Sequence, residues 1–95
     1  MNIARLHIPE RLVSAALLYQ SEAGNATAIQ ILKGEKLKEH ISKYPGLLIC
    51  VIGKVVFEDE KGECKTLKTG DYVDIEPEIR HWVLATIDSQ LVLIK

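Results

Sequence analysis

Ninety-five residues, 47% of them hydrophobic and 26% charged, with twelve basic against thirteen acidic side chains for a net charge of −1, describe one folded domain. The balance is too apolar for disorder, and the longest unbroken apolar run, Leu47 to Ile52, is six residues where a membrane-spanning helix needs about 20. Lysines scattered from Lys33 to Lys95 form no basic stripe, which argues against nucleic acid as a partner, and the N-terminus lacks the regions of a signal peptide, so the expected compartment is the cytoplasm.

Ile3 to Pro9 reads as an edge strand, and its His7 belongs to no motif. Arg11 to Gln20 (RLVSAALLYQ) is locally ambiguous, because Ala, Leu and Gln favour a helix that Pro9 is placed to open. Turn residues at Ser21 to Asn25, followed by Thr27 to Leu32 at a hairpin's distance, favour two strands. From Lys33 onward short apolar or alternating runs are punctuated at Gly34, Pro45 with Gly46, Gly53, Lys61 with Gly62, Gly70 with Asp71, Pro77, and Asp88 with Ser89. That rhythm predicts an all-β barrel or sandwich rather than a βαβ unit.

Leu47 to Ile52 (LLICVI) shows no polar alternation, so the strand is expected to be buried on both faces. Its outer face then needs a cover, either the other sheet's edge or a second subunit. A chain this short leaves apolar surface uncovered, which favours the subunit and a homodimer. Lys54 to Lys68 reads as a hairpin, Val55 and Phe57 returning through Cys64 and Leu67 across a polar tip at Glu58 to Glu63. The tip reads as a solvated turn whose acids lack the register of a calcium loop. Cys50 and Cys64, fourteen positions apart, have neither redox-pair nor zinc-knuckle spacing and read as free thiols.

Two segments carry a further pattern. Gly34 is followed after five residues by His40, Ile41 and Ser42, with Gly46 after three more and Gly53 after another six. Gly70 is followed after five residues by Glu76, Pro77 and Glu78, with His81 after two more and Ala85 four positions later. This spacing resembles the two sequence motifs of the cupins, across roughly Gly34 to Ala85. In that family the first motif has His at the Ser42 position and Glu at the Gly46 position, and the second has Asn where Ala85 stands. A single His in the first motif is similar to one group of small, single-domain RmlC-like cupins.

The resemblance implies a double-stranded β-helix, a jelly-roll barrel that is often a homodimer. It also implies an interior site that in many members holds Fe, Mn, Ni or Zn on three His and one Glu. Only His40 and His81 of that ligand set are present, so the set is degenerate, and no cofactor beyond such a divalent metal is implied.

Period-two counting independently sends Leu48, Cys50 and Ile52 to the same side as Gly46, and Leu47, Ile49 and Val51 to the other. His81, Val83 and Ala85 share one face, with Trp82 and Leu84 opposite, where Trp82 suits either packing or a subunit interface. The expected pocket is therefore lined by His40, Ser42, Gly46, Leu48, Cys50, Glu78, His81 and Val83, with Glu39 facing outward. Cys50 is read as a buried, inert thiol rather than a third ligand, because it lies two strand residues, about 6 to 7 Å, beyond the family's Glu position. Each imidazole either donates to a carbonyl or water, binds an anion or moves a proton, or ligates a metal.

Three functions remain open: a small-molecule binding module, a metal-dependent enzyme of dioxygenase or isomerase type using His40 and His81, and a dimerising or partner-binding scaffold. No catalytic triad, phosphate-cradling loop or dinucleotide fingerprint is present.

Overall fold

Alternation along the chain resolves into two antiparallel sheets packed face to face in the computed structural model, which describes residues 1–95. The strands are β1 (Val13–Ser21), β2 (Gly24–Ile31), β3 (Lys36–His40), β4 (Gly46–Ile52), β5 (Lys54–Asp59), β6 (Cys64–Lys68), β7 (Tyr72–Ile75), β8 (His81–Ala85) and β9 (Ser89–Ile94). One sheet has the order β1-β2-β9-β4-β7 and the other β3-β8-β5-β6, so the chain crosses between sheets at nearly every turn from β3 to β9, as a jelly roll does.

Alternate residues of the inner strands enter the core. Ile29 and Ile31 of β2, Leu48 and Cys50 of β4, Val55 and Phe57 of β5, Val83 and Ala85 of β8 and Leu91 of β9 meet there with Leu67, Val73 and Ile75. Full burial of one side chain of this size stabilises the fold by about 1.5 to 3 kcal/mol. Gly53 carries the chain from β4 into β5 at φ +117°, and a β-carbon there would collide with the Ser89 side chain. Only glycine meets both demands.

The Arg11 to Gln20 ambiguity resolves as strand, because pairing with β2 places Val13 opposite Ile31 and Ala15 opposite Ile29. Tertiary pairing outweighs the local helix preference. Three expectations fail. Ile3 to Pro9 is no edge strand: Ile3–Leu6 forms a 3-10 turn, with the Asn2 side chain accepting from the Ala4 N–H at 2.9 Å. A polar row on the outer face of the larger sheet holds this segment instead of a ladder. His7 hydrogen-bonds Ser14 at 2.9 Å, while Gln30 donates to the Arg11 carbonyl at 3.0 Å and accepts from Gln90 at 2.8 Å. Ile52 does not face inward: a register shift between Cys50 and Ile52 against β9 turns it out, 59% exposed. Cys64 pairs with Glu58 on the solvent side of the hairpin, so Lys65 stands opposite Phe57 and Cys64 is exposed.

The two outer faces differ in chemistry. On the smaller sheet alternation turns Lys36, Lys38, Lys54, Glu58 and Lys68 outward. Outward positions of the larger sheet include Tyr19, Leu47, Ile49, Val51, Tyr72, Val92 and Ile94, beside the polar row of Ser14, Gln30 and Gln90 and with Asp74 as a charged residue.

Candidate functional site

His81 opens β8 and His40 closes β3, and the two pair directly across these strands. Two residues of β3 separate Leu37 from His40 while one of β8 separates Val83 from His81. This one-residue bulge turns His40 to the side of the strand that Leu37 occupies, which strict alternation would forbid, and leaves its ring exposed at the barrel mouth beside buried His81. On the other side of His81 its partner is Asp59 of β5. His40, His81 and Asp59 thus form one row across three strands.

The His81 ring is 5% exposed and lies between its neighbours, 5.1 Å from the His40 ring at 60° and 5.7 Å from the Phe57 ring at 24°. Its Nδ1 is 3.2 Å from the Ile79 carbonyl oxygen. Burial, followed by the Lys95 ammonium and the neighbouring His81, pushes the His40 imidazole below its ordinary value. Asp59 is drawn away from the histidines, its Oδ1 accepting from the Lys61 N–H at 2.9 Å and the Glu63 N–H at 3.1 Å.

Two hollows meet at His81. The smaller, among His40, Ser42, Gly46, His81 and Lys95, has a volume near 10 Å³, about enough for one water. The larger, about 440 Å³, opens between the β5–β6 hairpin and the end of β7. Phe57, Val73, Ile75 and Ile79 give it apolar walls, and Asp59, Lys61, Glu63, Lys65, Asp74 and Glu76 give it a charged rim. At that rim Lys61 Nζ donates to Glu76 Oε2 at 3.0 Å, joining the hairpin tip to the opposite sheet, and this bond pushes the Lys61 ammonium up.

Of the expected pocket residues, His40, Ser42, Gly46 and His81 come together in the smaller hollow, and Gly46 and His81 also line the larger. Leu48, Cys50 and Val83 lie deeper, sealed in the core, and line neither. Burial and then Asp71 push the Cys50 thiol up, which keeps it protonated and unreactive. Glu78 is also outside both hollows: it occupies a turn at φ 64°, exposed, its N–H donating to the Ser42 carbonyl at 2.7 Å. Sequence reasoning missed the hairpin tip and β7. A usable signal was present, since Asp59 stands two positions beyond Phe57 and alternation sends both inward. Trp82 is engaged within its own chain, donating to Glu58 Oε1 at 3.0 Å beneath the Lys36 ammonium, 5.5 Å from its ring.

Neither a family model nor a curated protein sequence matches this chain. Solved structures do. A cupin superfamily protein from Desulfitobacterium hafniense superposes with a TM-score of 0.85 at 16% identity, covering 98% of this chain and 84% of its own. An RmlC-like cupin from Shewanella frigidimarina gives 0.79 at 19% identity, with coverage of 87% and 74%. The fold is that of a small cupin. A predicted oxalate decarboxylase from Thermotoga maritima has it too, with a TM-score of 0.75 at 20% identity over 86% of this chain and 77% of that one.

The metal set expected of a cupin does not fit these residues. No group of three His, Cys, Asp or Glu side chains is placed to hold a metal ion. Gly46, at the carboxylate position, carries no ligand, and a β-carbon there would be a tight fit, 3.3 Å from the Ile94 carbonyl oxygen. Ser42, at the second His position, accepts from the Tyr44 N–H at 3.3 Å. Two imidazoles remain where a protein-held transition metal takes three or four ligands.

Proposed function

We propose that this cupin barrel is a metal-free small-molecule binding module whose ligand occupies the larger hollow beside His81. The carrying observation is a cavity of about 440 Å³ with apolar walls and a buried histidine in its lining, within the size range of small-molecule sites. The test is metal content by plasma mass spectrometry on untagged protein, with His40→Ala and His81→Ala alongside. Less than a tenth of an equivalent, even after incubation with Fe, Mn, Ni and Zn, supports the proposal. Near one equivalent, lost in either variant, overturns it in favour of a metal-dependent enzyme.

A second reading concerns assembly and has its own observation: the part of the larger sheet's outer face that the N-terminal segment leaves open, where Leu47, Ile49, Val51, Tyr72, Val92 and Ile94 stand with Asp74 the one charge. We infer that a second copy of this chain covers it. Light scattering at micromolar concentration should give a dimer, converted to monomer by Ile49→Lys with Val92→Lys. A monomeric wild-type chain overturns the pairing.

A further inference from the structure

Register sets Ser14, Gln30 and Gln90 in one row across β1, β2 and β9, on the outer face of the larger sheet. The segment from Ile3 to Leu12 crosses this row and is tied to the sheet by few bonds. Gln30 Nε2 donates to the carbonyls of Arg11 at 3.0 Å and Ile8 at 3.5 Å, the Leu32 N–H donates to the Leu12 carbonyl at 2.9 Å, and His7 Nδ1 shares a hydrogen bond with Ser14 Oγ at 2.9 Å. Among the first twelve residues His7 alone is buried, 6% exposed. The side chain that anchors the segment is therefore a titratable one.

Its two nitrogens are in different positions. Nδ1 is matched in either neutral tautomer, because a hydroxyl both donates and accepts. Nε2 is sealed from solvent with no partner, and Gln90 Oε1, likewise sealed and unpartnered, does not reach it. Protonation puts a hydrogen on both nitrogens, so Nε2 becomes a charged, buried donor with nothing to accept from it. No carboxylate offsets that cost. The packed strands present Ser14, Gln30 and Gln90, and the segment's own charged side chains, Arg5, Glu10 and Arg11, are exposed. Burial alone displaces the His7 imidazole, downward from its ordinary 6.5.

We propose that His7 makes the N-terminal segment a pH-operated strap. With the imidazole neutral, Ile3 to Leu12 lies across β1 and β2; with it protonated, the strap lets go and bares the row of Ser14, Gln30 and Gln90. The barrel stays folded, since no residue of the strap belongs to its core cluster. Release grows as the pH falls below about 6.5, by at most about tenfold per unit for one proton, and levels off once the closed ring is protonated too.

Glu10 lies inside the strap and supplies the test. A glutamate-specific protease is applied to the full chain between pH 7.5 and pH 5.0, and cleavage after Glu10 is read by mass spectrometry. The rate is divided by that of an unstructured peptide of the same sequence, so that it tracks the open fraction. It is expected to rise at least about fivefold over this range and to level off where the His7 ring resonances titrate. His7→Gln should give a flat profile; if that variant frees the strap outright, its rate is high at every pH and the wild-type profile set against the ring titration decides alone. A wild-type rate unchanged through the His7 titration, a plateau at another pH, or an equal rise in His7→Gln overturns the strap.

Discussion

A β-carbon added to Gly46 would stand 3.3 Å from the carbonyl oxygen of Ile94 and 3.6 Å from Lys95 Cβ. The end of β9 crowds the place from which a ligand side chain would have to grow, and the Ile94 carbonyl must give by a few tenths of an ångström to admit one. Gly46→Glu, which writes the family's carboxylate back into the first motif, is therefore expected to lower stability by about 1 to 3 kcal/mol through overpacking. It should also fail to confer stoichiometric metal binding. Urea unfolding with metal analysis checks both; an unchanged midpoint with one bound metal would contradict this account of the site.

Gly53→Ala tests the crossing between the sheets. The substitution places a side chain at φ +117° and drives it into Ser89, whose hydroxyl accepts from the Lys54 N–H at 3.1 Å and donates to the Ile87 carbonyl at 2.8 Å. A loss of about 2 kcal/mol or more is expected from strain and crowding together. A midpoint within error of wild type would show that the chain can cross here in another way.

Acid should weaken the fold through its histidines. Burial pushes the His7 imidazole below its ordinary 6.5, so on lowering the pH the unfolded chain takes up its proton first. Stability from the neutral ring is complete above about pH 6.5 and is lost as the pH falls through the lower folded-state value. His40 is shifted in the same direction and adds a change of the same sign. His7→Gln keeps a polar partner for Ser14 but cannot titrate, so its urea midpoint should fall less steeply from about pH 6.5 to about pH 5. Parallel slopes in variant and wild type would refute the assignment.

Trp82 separates the two outer faces. Its indole is committed to Glu58 and Lys36 within one chain, so Trp82→Phe should cost about 0.5 to 1.5 kcal/mol for the lost hydrogen bond and leave the molecular mass in solution unchanged. A change of mass would move the interface to the smaller sheet.

The all-β architecture was legible because turn residues and alternation agree along most of the chain, and motif spacing identified the barrel. His40 and His81 were legible as a pair through that spacing alone. What stayed hidden came from register. The bulge before His40, the shift that turns Ile52 outward and the offset that exposes Cys64 each displace a side chain by one position, and no single-strand pattern records it. Leu48, Cys50 and Val83 were placed on the correct face, yet facing inward does not distinguish a cavity wall from a sealed core. The charged rim escaped for a different reason: Lys61 and Glu76 are fifteen positions apart and meet only because the sheets close on each other.

The N-terminal segment owes its position to hydrogen bonds rather than to packing, since the 3-10 turn buries none of its own residues. Beneath it, His7 Nε2 and Gln90 Oε1 are sealed without partners, a debt that water would settle on opening. Detaching the first dozen residues therefore exposes little oil and hydrates two stranded atoms, while the twelve-residue core stays shut. Its amides should exchange long before those of β2 and β9, a local melting event that leaves the barrel standing.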